Sequence, residues 1–315
     1  MTRLGGSDLD IFPLALGGNP FGWTADPVTS HGILDAFVAG GGNFIDTADV
    51  YSAWVDGNSG GESESIIGDW FAARGRRDDV ILGTKVSAHP QFRGLGAGNI
   101  QAAADASLAR LKTDYIDVYY AHFDDQDTPL TETVAAFQNL VSAGKIRYVA
   151  LSNYSAERID EWISIARGNG FDLPVALQPN YNLVNRAEFE STLRPVAEKH
   201  NLGVVPYYAL ASGFLTGKYR TADDLEGSAR KSGAAAYLNE QGLRVVDELA
   251  EIAAGHSVEL ATVALAWLRA QSTIAAPLAS VSKVDQLDAI LASATLELTD
   301  EELGRLDQLS AELGN

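Results

Sequence analysis

Short apolar runs alternate with longer amphipathic stretches along almost the whole chain of 315 residues. A short run rich in Val, Ile and Leu between turn residues is typical of a buried strand, whereas apolar residues three and four apart predict a helix. We predict eight strands, at 12–17, 43–47, 80–86, 116–122, 146–152, 175–178, 203–208 and 274–278. We predict helices at 30–39, 63–74, 100–111, 130–142, 156–169, 187–199, two within 238–270, then 283–293 and 300–312.

The regular alternation of strands and helices predicts an α/β fold. Strands begin about 25–40 residues apart, the length of one βα unit, and eight such units with right-handed crossovers form a (β/α)8 TIM barrel. An open doubly wound sheet is the alternative, but Gly17-Gly18-Asn19-Pro20 after the first strand is not a GxGxxG phosphate turn. We therefore predict a single domain over 1–315, with long loops at 52–61 and 217–236 that are functional or mobile.

Composition and charge narrow the class of partner. The chain has 23 Lys and Arg against 42 Asp and Glu, and the net charge of −19 argues against nucleic acid, whose phosphates would be repelled. No run approaches the ~20 apolar residues of a membrane span, and the N-terminus lacks the apolar core of a signal peptide. Cys is absent, which excludes disulfides and thiolate chemistry. We expect a cytoplasmic protein with no membrane or nucleic-acid partner, and its oligomeric state stays open.

Four ionisable side chains lie at or near the ends of predicted strands. Asp46 ends the apolar run of the second strand, and Tyr51 follows five residues later. Lys85 lies at the end of the third strand and His122 at the end of the fourth. In a parallel β/α barrel the carboxyl ends of the strands carry the chemistry. We therefore expect these groups to meet in a site for proton transfer.

The four groups suit the reduction of a carbonyl. A phenol keeps its proton at neutral pH and can donate it to a carbonyl oxygen, and a nearby ammonium stabilises the phenolate that forms. These needs make Tyr51 the general acid, Lys85 its tuner and Asp46 the counter-ion of the buried Lys. His122 would orient the carbonyl or assist the proton. Each residue alone also fits an ordinary role, such as a loop cap for Asp46, so the hypothesis depends on all four.

Several segments in order along the chain resemble those of the aldo-keto reductases. The matching segments are Asn43-Phe44-Ile45-Asp46-Thr47-Ala48-Asp49-Val50-Tyr51, Gly61-Glu62-Ser63-Glu64, Gly83-Thr84-Lys85, Tyr120-Ala121-His122, Leu151-Ser152-Asn153-Tyr154, Gln178-Pro179-Asn180-Tyr181-Asn182, Pro206-Tyr207-Tyr208-Ala209-Leu210 and Gly213-Phe214-Leu215-Thr216-Gly217-Lys218-Tyr219. Within that family the chain looks most like the bacterial branch related to potassium-channel β subunits and aryl-alcohol dehydrogenases. The resemblance implies a (β/α)8 barrel, a nicotinamide cofactor across its carboxyl end, and the same four catalytic roles.

The resemblance also implies where the cofactor binds. Ser152, Asn153 and Gln178 would hold the carboxamide, and Tyr207 would stack on the nicotinamide ring. Tyr208 stands where the family more often has Ser. Backbone amides of the following turn could hold the pyrophosphate. The cofactor-binding residues predicted for the nicotinamide and pyrophosphate are Gly18, Asn19, Ser152, Asn153, Gln178, Tyr207, Tyr208, Leu210, Ser212, Gly213, Leu215 and Lys218.

The segment after the eighth strand and the loop at 217–236 carry further candidates. The residues predicted for the adenine end of the cofactor are Ser280, Ser282, Lys283 and Gln286. A Lys beside hydroxyls suits a 2′-phosphate, so NADPH is predicted over NADH, which stays possible. The loop brings together Lys218, Arg220, Arg230 and Lys231 in a negatively charged chain. We interpret it as a lid over the pyrophosphate, with a solvated charged loop as the alternative.

The predicted activity follows from these sites. Trp23, Trp54 and Phe123 would wall the pocket above Tyr51 and favour apolar or ring-shaped carbonyl compounds, or sugars. No metal is expected, because the ligands needed beyond Asp124-Asp125-Gln126-Asp127 are missing. The predicted function is an NADPH-dependent oxidoreductase acting on small carbonyl or alcohol substrates. The alternatives are a nicotinamide-sensing binding module with little turnover, and a barrel isomerase or lyase with no redox cofactor.

Overall fold

The structure is a computed structural model and describes residues 1–311. Within this range, parallel strands form one curled sheet of eight members, which are β1 Ala15–Gly17, β2 Phe44–Asp46, β3 Ile81–Val86, β4 Ile116–Ala121, β5 Ile146–Ser152, β6 Ala176–Gln178, β7 Gly203–Val204 and β8 Leu278–Ala279. From β1 to β7 each strand pairs with the next along the chain, and β8 returns to pair with β1. This is the α/β arrangement predicted from the sequence.

The edges of the sheet, β7 and β8, meet without a continuous ladder. A single parallel bridge joins Val204 to Ile274, and Leu278 N donates to Pro206 O at 3.0 Å. The strands predicted at 203–208 and 274–278 are therefore shorter or shifted in the structure. Pro206 and Pro277 explain this difference, because proline has no N–H group to donate to a ladder.

Helices follow the strands as the amphipathic pattern predicts. Their bounds are α1 Pro27–Ala39, α2 Glu62–Arg74, α3 Ala97–Leu111, α4 Leu130–Ser142, α5 Ala156–Asn169, α6 Arg194–His200, α7 Lys231–Ala235, α8 Glu240–His256, α9 Leu260–Ala270, α10 Leu287–Leu291 and α11 Asp300–Ala311. The predicted bounds of α4 and α5 are confirmed. Part of the helix predicted at 187–199 is a π-helical turn, Phe189–Leu193. The one predicted at 283–293 is the short helix α10 between two 3-10 turns, Val284–Gln286 and Ala292–Ala294. Glu312, the predicted end of the last helix, lies outside the described residues.

The two long predicted loops differ in their structure. Residues 52–61 consist of turns and bends. The segment 217–236 is more regular than predicted, because it contains a 3-10 turn at Asp223–Leu225 and the short helix α7. In the described range, no single helix is long and apolar enough to cross a membrane. The pair α8 and α9 reaches that length and apolar content only together, and it is bent by 98° at the junction.

An N-terminal hairpin that the pattern did not predict covers one end of the sheet. Thr2–Arg3 pairs antiparallel with Asp10–Ile11. Between them Gly5, at φ +52°, approaches so closely that an added Cβ would lie 2.1 Å from Val175 O and 2.6 Å from Gly203 N. Val175 directly precedes β6 and Gly203 begins β7, so the hairpin lies at the amino ends of the strands. The carboxyl ends are at the opposite face.

Both faces of the sheet are buried, as is typical of parallel strands. In β4, Val118 and Tyr120 belong to an inner apolar cluster, while Tyr119 packs with Phe137 of α4 in the outer one. The polar exceptions lie mainly at the carboxyl ends of the strands, where Asp46 and Lys85 are fully buried.

Candidate active site

Strand register places the predicted catalytic residues side by side. Gly83 of β3 is paired with Asp46 at the end of β2, and Lys85 is paired with Tyr120 of β4. His122 directly follows β4. These residues lie far apart in the chain, but adjacent parallel strands bring them to the same edge of the sheet.

Lys85 joins the acid and the phenol of the predicted quartet. Its Nζ donates to Asp46 Oδ1, to Thr47 O at 2.6 Å and to Tyr51 Oη at 3.1 Å. The side chains of Lys85 and Asp46 have no exposed surface. All three donors of the ammonium therefore have an acceptor, which is the condition for burying its charge.

The electrostatics of this group favour a protonated phenol beside a charged Lys. Burial alone would lower the pKa of Lys85, but Asp46 and Tyr51 raise it above its usual value. Burial raises the pKa of Tyr51, and the Lys85 ammonium opposes that rise. At neutral pH the phenol therefore carries its proton and the ammonium its charge. Tyr51 has a proton to donate, and Lys85 can stabilise the phenolate.

His122 is held at the edge of the same group as a neutral imidazole. Its ring stacks on Phe123 with centroids 4.5 Å apart and meets the Tyr51 ring edge-on at 6.3 Å. Burial, together with the nearby charge of Lys85, lowers the pKa of His122 well below its usual value. A neutral imidazole keeps one N–H donor, which can bind a carbonyl oxygen.

The three residues predicted to clamp the carboxamide form one hydrogen-bonded network. Asn153 Nδ2 donates to His122 O at 2.9 Å and to Ser152 Oγ at 3.1 Å. Ser152 Oγ donates to Gln178 O at 2.8 Å, and Gln178 Nε2 donates to Asp46 Oδ2 at 3.0 Å. The clamp is thereby tied to the Lys85 group. Asn153 adopts a left-handed φ of 56°, which Asn tolerates better than most residues.

These side chains surround a cleft of about 710 Å³. Most of the predicted site residues line it, namely Asn19, Trp23, Tyr51, Trp54, His122, Phe123, Ser152, Asn153, Gln178, Tyr207, Tyr208, Leu210, Ser212, Gly213 and Ser280. Trp54 packs edge-on against Trp23 at 5.6 Å and against Tyr51 at 6.2 Å. Tyr207 Oη donates to Asn153 Oδ1 at 2.8 Å, which orients its ring. The cleft thus combines aromatic walls with the proton donor.

Some predicted residues do not form the wall of this cleft. Leu215 is fully buried in the apolar core, and Gly18 N donates to Asp46 O at 2.7 Å. Gln286 Oε1 accepts from Ser282 N at 3.0 Å, while Lys283 is exposed. The Lys218 ammonium lies over the Tyr219 ring, 4.8 Å from its centroid.

The turn after Tyr207 has an unusual backbone. Tyr208, Ala211, Ser212 and Gly213 have φ values of 54°, 48°, 57° and 89°. Left-handed residues are uncommon outside glycine, and successive N–H groups in such turns can point into one concave anion site. The predicted pyrophosphate turn contains these left-handed residues, and within it Ala211 N donates to Tyr208 O at 2.7 Å and Gly213 N to Leu210 O at 2.8 Å.

Arg230 belongs to the loop that the sequence predicts as a lid over the pyrophosphate. In the structure its side chain lines the cleft. Among residues 1–311, no carboxylate forms an ion pair with its side chain, and burial lowers its pKa while Tyr219 and Tyr208 oppose that change. A partly buried cation is normally paired with an anion, so the Arg230 guanidinium is a candidate for binding an anionic ligand. Its position in a positively charged segment of a chain with a net charge of −19 was the available signal.

The acidic run 124–127 is bonded within the protein. Asp124 accepts from Arg158 Nε at 2.8 Å, and Asp125 accepts from Leu95 N at 2.7 Å and Thr128 Oγ1 at 2.8 Å. In the described part of the chain, no group of three His, Cys, Asp or Glu side chains is placed to hold a metal ion.

The sequence of this chain is similar to those of known proteins. Residues 13–311 match the sequence profile of the Aldo/keto reductase family. The uncharacterized oxidoreductase YrpG of Bacillus subtilis (strain 168) is 32% identical, over 98% of this chain and 95% of its own length. Norsolorinic acid reductase B of Aspergillus parasiticus is 31% identical over 96% and 81%. A probable voltage-gated potassium channel subunit beta of Oryza sativa subsp. japonica is 34% identical over 90% and 88%.

Proposed function

Since this chain belongs to the aldo/keto reductase family, we propose that it is an NADPH-dependent oxidoreductase. It reduces aldehydes or ketones to alcohols, or runs in the reverse direction, with Tyr51 as general acid or base. The observation that carries the proposal is the buried Lys85 ammonium between Asp46 Oδ1 and Tyr51 Oη, beneath an aromatic cleft. The names of two relatives, an oxidoreductase and a reductase, support the same reaction class.

Tyr51 supplies the proton for the carbonyl oxygen. As the proton leaves, negative charge develops on Oη, 3.1 Å from Lys85 Nζ. The ammonium is already charged and fixed, so it stabilises the phenolate without reorganisation. Asp46 holds that ammonium in place, and Gln178 in turn holds the second oxygen of Asp46 at 3.0 Å.

His122 and the aromatic walls position the substrate. The neutral imidazole donates one hydrogen bond to the carbonyl oxygen, beside the Tyr51 phenol. The rings of Trp23, Trp54 and Phe123 exclude water and hold the apolar part of the substrate. These contacts keep the carbonyl oxygen of the substrate within reach of the Tyr51 proton.

The residues present fit a nicotinamide cofactor. Tyr207 offers a ring face, Ser152 and Asn153 offer polar groups, and the left-handed turn around Ser212 and the unpaired Arg230 suit a pyrophosphate. When bound, the cofactor supplies the hydride. Lys283 next to Ser282 suits a 2′-phosphate, which is the basis for NADPH over NADH. We also propose that the curled sheet is the wall of a (β/α)8 barrel in a cytoplasmic enzyme.

The decisive experiment is the substitution Tyr51→Phe. We expect wild type to consume NADPH with an aromatic aldehyde such as 4-nitrobenzaldehyde, followed at the nicotinamide absorbance band. Loss of the proton donor should lower kcat by about 10²–10⁴-fold. Cofactor affinity, measured by quenching of Trp fluorescence, should change less than about two-fold, because Tyr51 donates a proton and does not anchor the cofactor.

Tyr115→Phe is the matched control, because it removes a phenol that does not line the cleft. It should keep wild-type turnover. Cofactor binding without turnover on a broad panel of aldehydes, ketones and alcohols would contradict the proposal and favour the sensing module. An absence of any nicotinamide binding would contradict both and favour a barrel isomerase or lyase.

A further inference from the structure

The exposed aromatic rings of this protein are concentrated in one place. Among residues 1–311, the aromatic side chains with about half of their surface exposed are Trp54 at 50%, Phe123 at 46% and Tyr208 at 56%. All three line the cleft above Tyr51. Large exposed apolar side chains that gather in a concave site indicate ligand binding more than random surface composition.

Tyr208 is the most unusual of the three, because its backbone is strained. A φ of 54° is a genuine outlier for a bulky residue. Its carbonyl oxygen accepts from Ala211 N at 2.7 Å and from Nδ2 of the fully buried Asn182 at 3.0 Å. Such strain persists only where the surroundings determine it, and it is concentrated at functional sites. The direction of the Tyr208 side chain is thus set by the fold.

The ring of Tyr208 also lies next to another aromatic ring of the cleft. It meets the Tyr207 ring edge-on at 5.1 Å. Burial is the main reason that the pKa of Tyr51 is raised, and the Tyr208 phenol contributes in the same direction. The same phenol opposes the effect of burial on the pKa of Arg230. Tyr208 therefore lines the same cleft as both Tyr51 and Arg230.

We propose that Tyr208 is a specificity-determining residue whose ring completes an aromatic enclosure with Trp23, Trp54 and Phe123 around the reacting carbonyl. This inference rests on the proposed function and names its substrate class, which is aldehydes or ketones carrying a flat ring. Flat rings gain both buried area and favourable quadrupole geometry against such walls. A puckered saturated ring of the same size lacks the second contribution. The contact from Tyr208 should therefore favour the flat ring.

The test compares benzaldehyde with cyclohexanecarboxaldehyde, which differ in ring planarity and in conjugation of the carbonyl. The difference in intrinsic reactivity cancels when each variant is compared with wild type. In Tyr208→Ser, the ratio of kcat/KM for benzaldehyde to that for cyclohexanecarboxaldehyde should fall about three- to ten-fold, through KM. Tyr208→Phe keeps the ring and should keep the ratio. The Kd for NADPH is measured in both variants, because Tyr208 is also predicted from the sequence as a cofactor residue: a substrate contact leaves this Kd unchanged, whereas a cofactor contact raises it. Far-UV circular dichroism verifies the folding of both variants.

An unchanged ratio in Tyr208→Ser would overturn the inference. If the affinity for NADPH also fell in that variant, Tyr208 would be a cofactor contact instead. If wild type shows no turnover, it is the proposed function that fails. The role of Tyr208 is then decided by binding of 2-naphthol, measured by saturation-transfer NMR. Weaker binding in Tyr208→Ser than in Tyr208→Phe supports the aromatic enclosure, and equal binding overturns it.

Discussion

At the scale of single residues, Asp49 is a buried carboxyl that lies outside the proposed catalytic quartet. It is fully buried, and neither carboxylate oxygen has a hydrogen-bond partner of ordinary geometry in the described part of the chain. Burial, then the charge of Glu64, raises the pKa of Asp49 from 3.8 to about 8, while Arg110 opposes the shift. Because its backbone N–H also donates to Lys85 O at 3.3 Å, this buried group is directly connected to the Lys that we propose to be catalytic.

This raised pKa predicts a pH-dependent stability. Between about pH 4 and 8 the folded state keeps the Asp49 proton and the unfolded state releases it, so the free energy of unfolding falls as pH rises. Asp49→Asn cannot titrate and should lose this dependence. The free energy of unfolding of Asp49→Asn, relative to that of wild type, should rise by at most about 1.4 kcal/mol per pH unit in that window. Urea unfolding at pH 5, 6.5 and 8 measures it.

Asp69→Asn is the control for removing one Asp, because Asp69 forms an exposed ion pair with Lys112. Such pairs contribute at most about 1 kcal/mol, so this variant should follow the wild-type pH curve. Parallel curves for wild type and Asp49→Asn would show that Asp49 is already ionised in the folded protein.

At the scale of elements, the segment 217–236 contains both surface cations and a site cation. Arg220 pairs with Asp247, and Lys231 pairs with Glu226. Arg230 lines the cleft instead. The proposed contact with a cofactor pyrophosphate therefore depends on one residue of this segment and not on its overall charge.

Arg230→Met tests this difference. The thioether chain keeps much of the packing but removes the charge, so the Kd for NADPH should rise about ten-fold or more, as expected for a charge-assisted hydrogen bond. The value of kcat at saturating cofactor should stay within about two-fold, because Tyr51 and Lys85 are unchanged. Titration of Trp fluorescence gives the affinity.

Arg220→Met removes one charge from the same segment and serves as the matched variant. It should change the Kd for NADPH less than about two-fold, since an exposed ion pair contributes little. Equal losses of affinity in the two variants would mean that the general charge of the segment, and not a contact from Arg230, attracts the cofactor.

At the scale of the whole molecule, family membership and charge bear on the cofactor. The prediction of an aldo-keto reductase is confirmed by the match over residues 13–311. The net charge of −19 opposes an anionic cofactor, so local cations such as Arg230 and Lys283 have to overcome it. Binding to the folded state then stabilises the entire protein.

NADPH should therefore raise the melting temperature more than NADH does. At about 100 times its Kd, NADPH should add about 2.7 kcal/mol, or roughly 5 °C, in differential scanning fluorimetry. Lys283→Met should reduce the NADPH shift towards that of NADH, if Lys283 binds the 2′-phosphate. Lys199→Met, in α6, should leave both shifts unchanged. Equal shifts for the two cofactors in wild type would contradict the preference for NADPH.

Most of the elements and the catalytic candidates could be predicted from the chain, because both depend on local patterns of residues. Apolar periodicity predicted α4 and α5 to the residue. The last predicted helix also begins at Asp300 as expected, and Thr299 Oγ1 caps it by accepting from Glu302 N at 3.3 Å. The position of Asp46 and Lys85 at the ends of parallel strands also predicted that they meet, since such ends share one edge of a sheet.

How each group is paired and how deeply it is buried could not be predicted from the chain, because both depend on three-dimensional packing. The bond from Gln178 to Asp46 joins residues 132 positions apart. The burial of Asp49, the lack of an ion pair at Arg230 among residues 1–311 and the left-handed backbone of Tyr208 likewise depend on the fold. Pairing, desolvation and strain depend on which distant atoms surround a residue, and packing sets those neighbours while local periodicity does not.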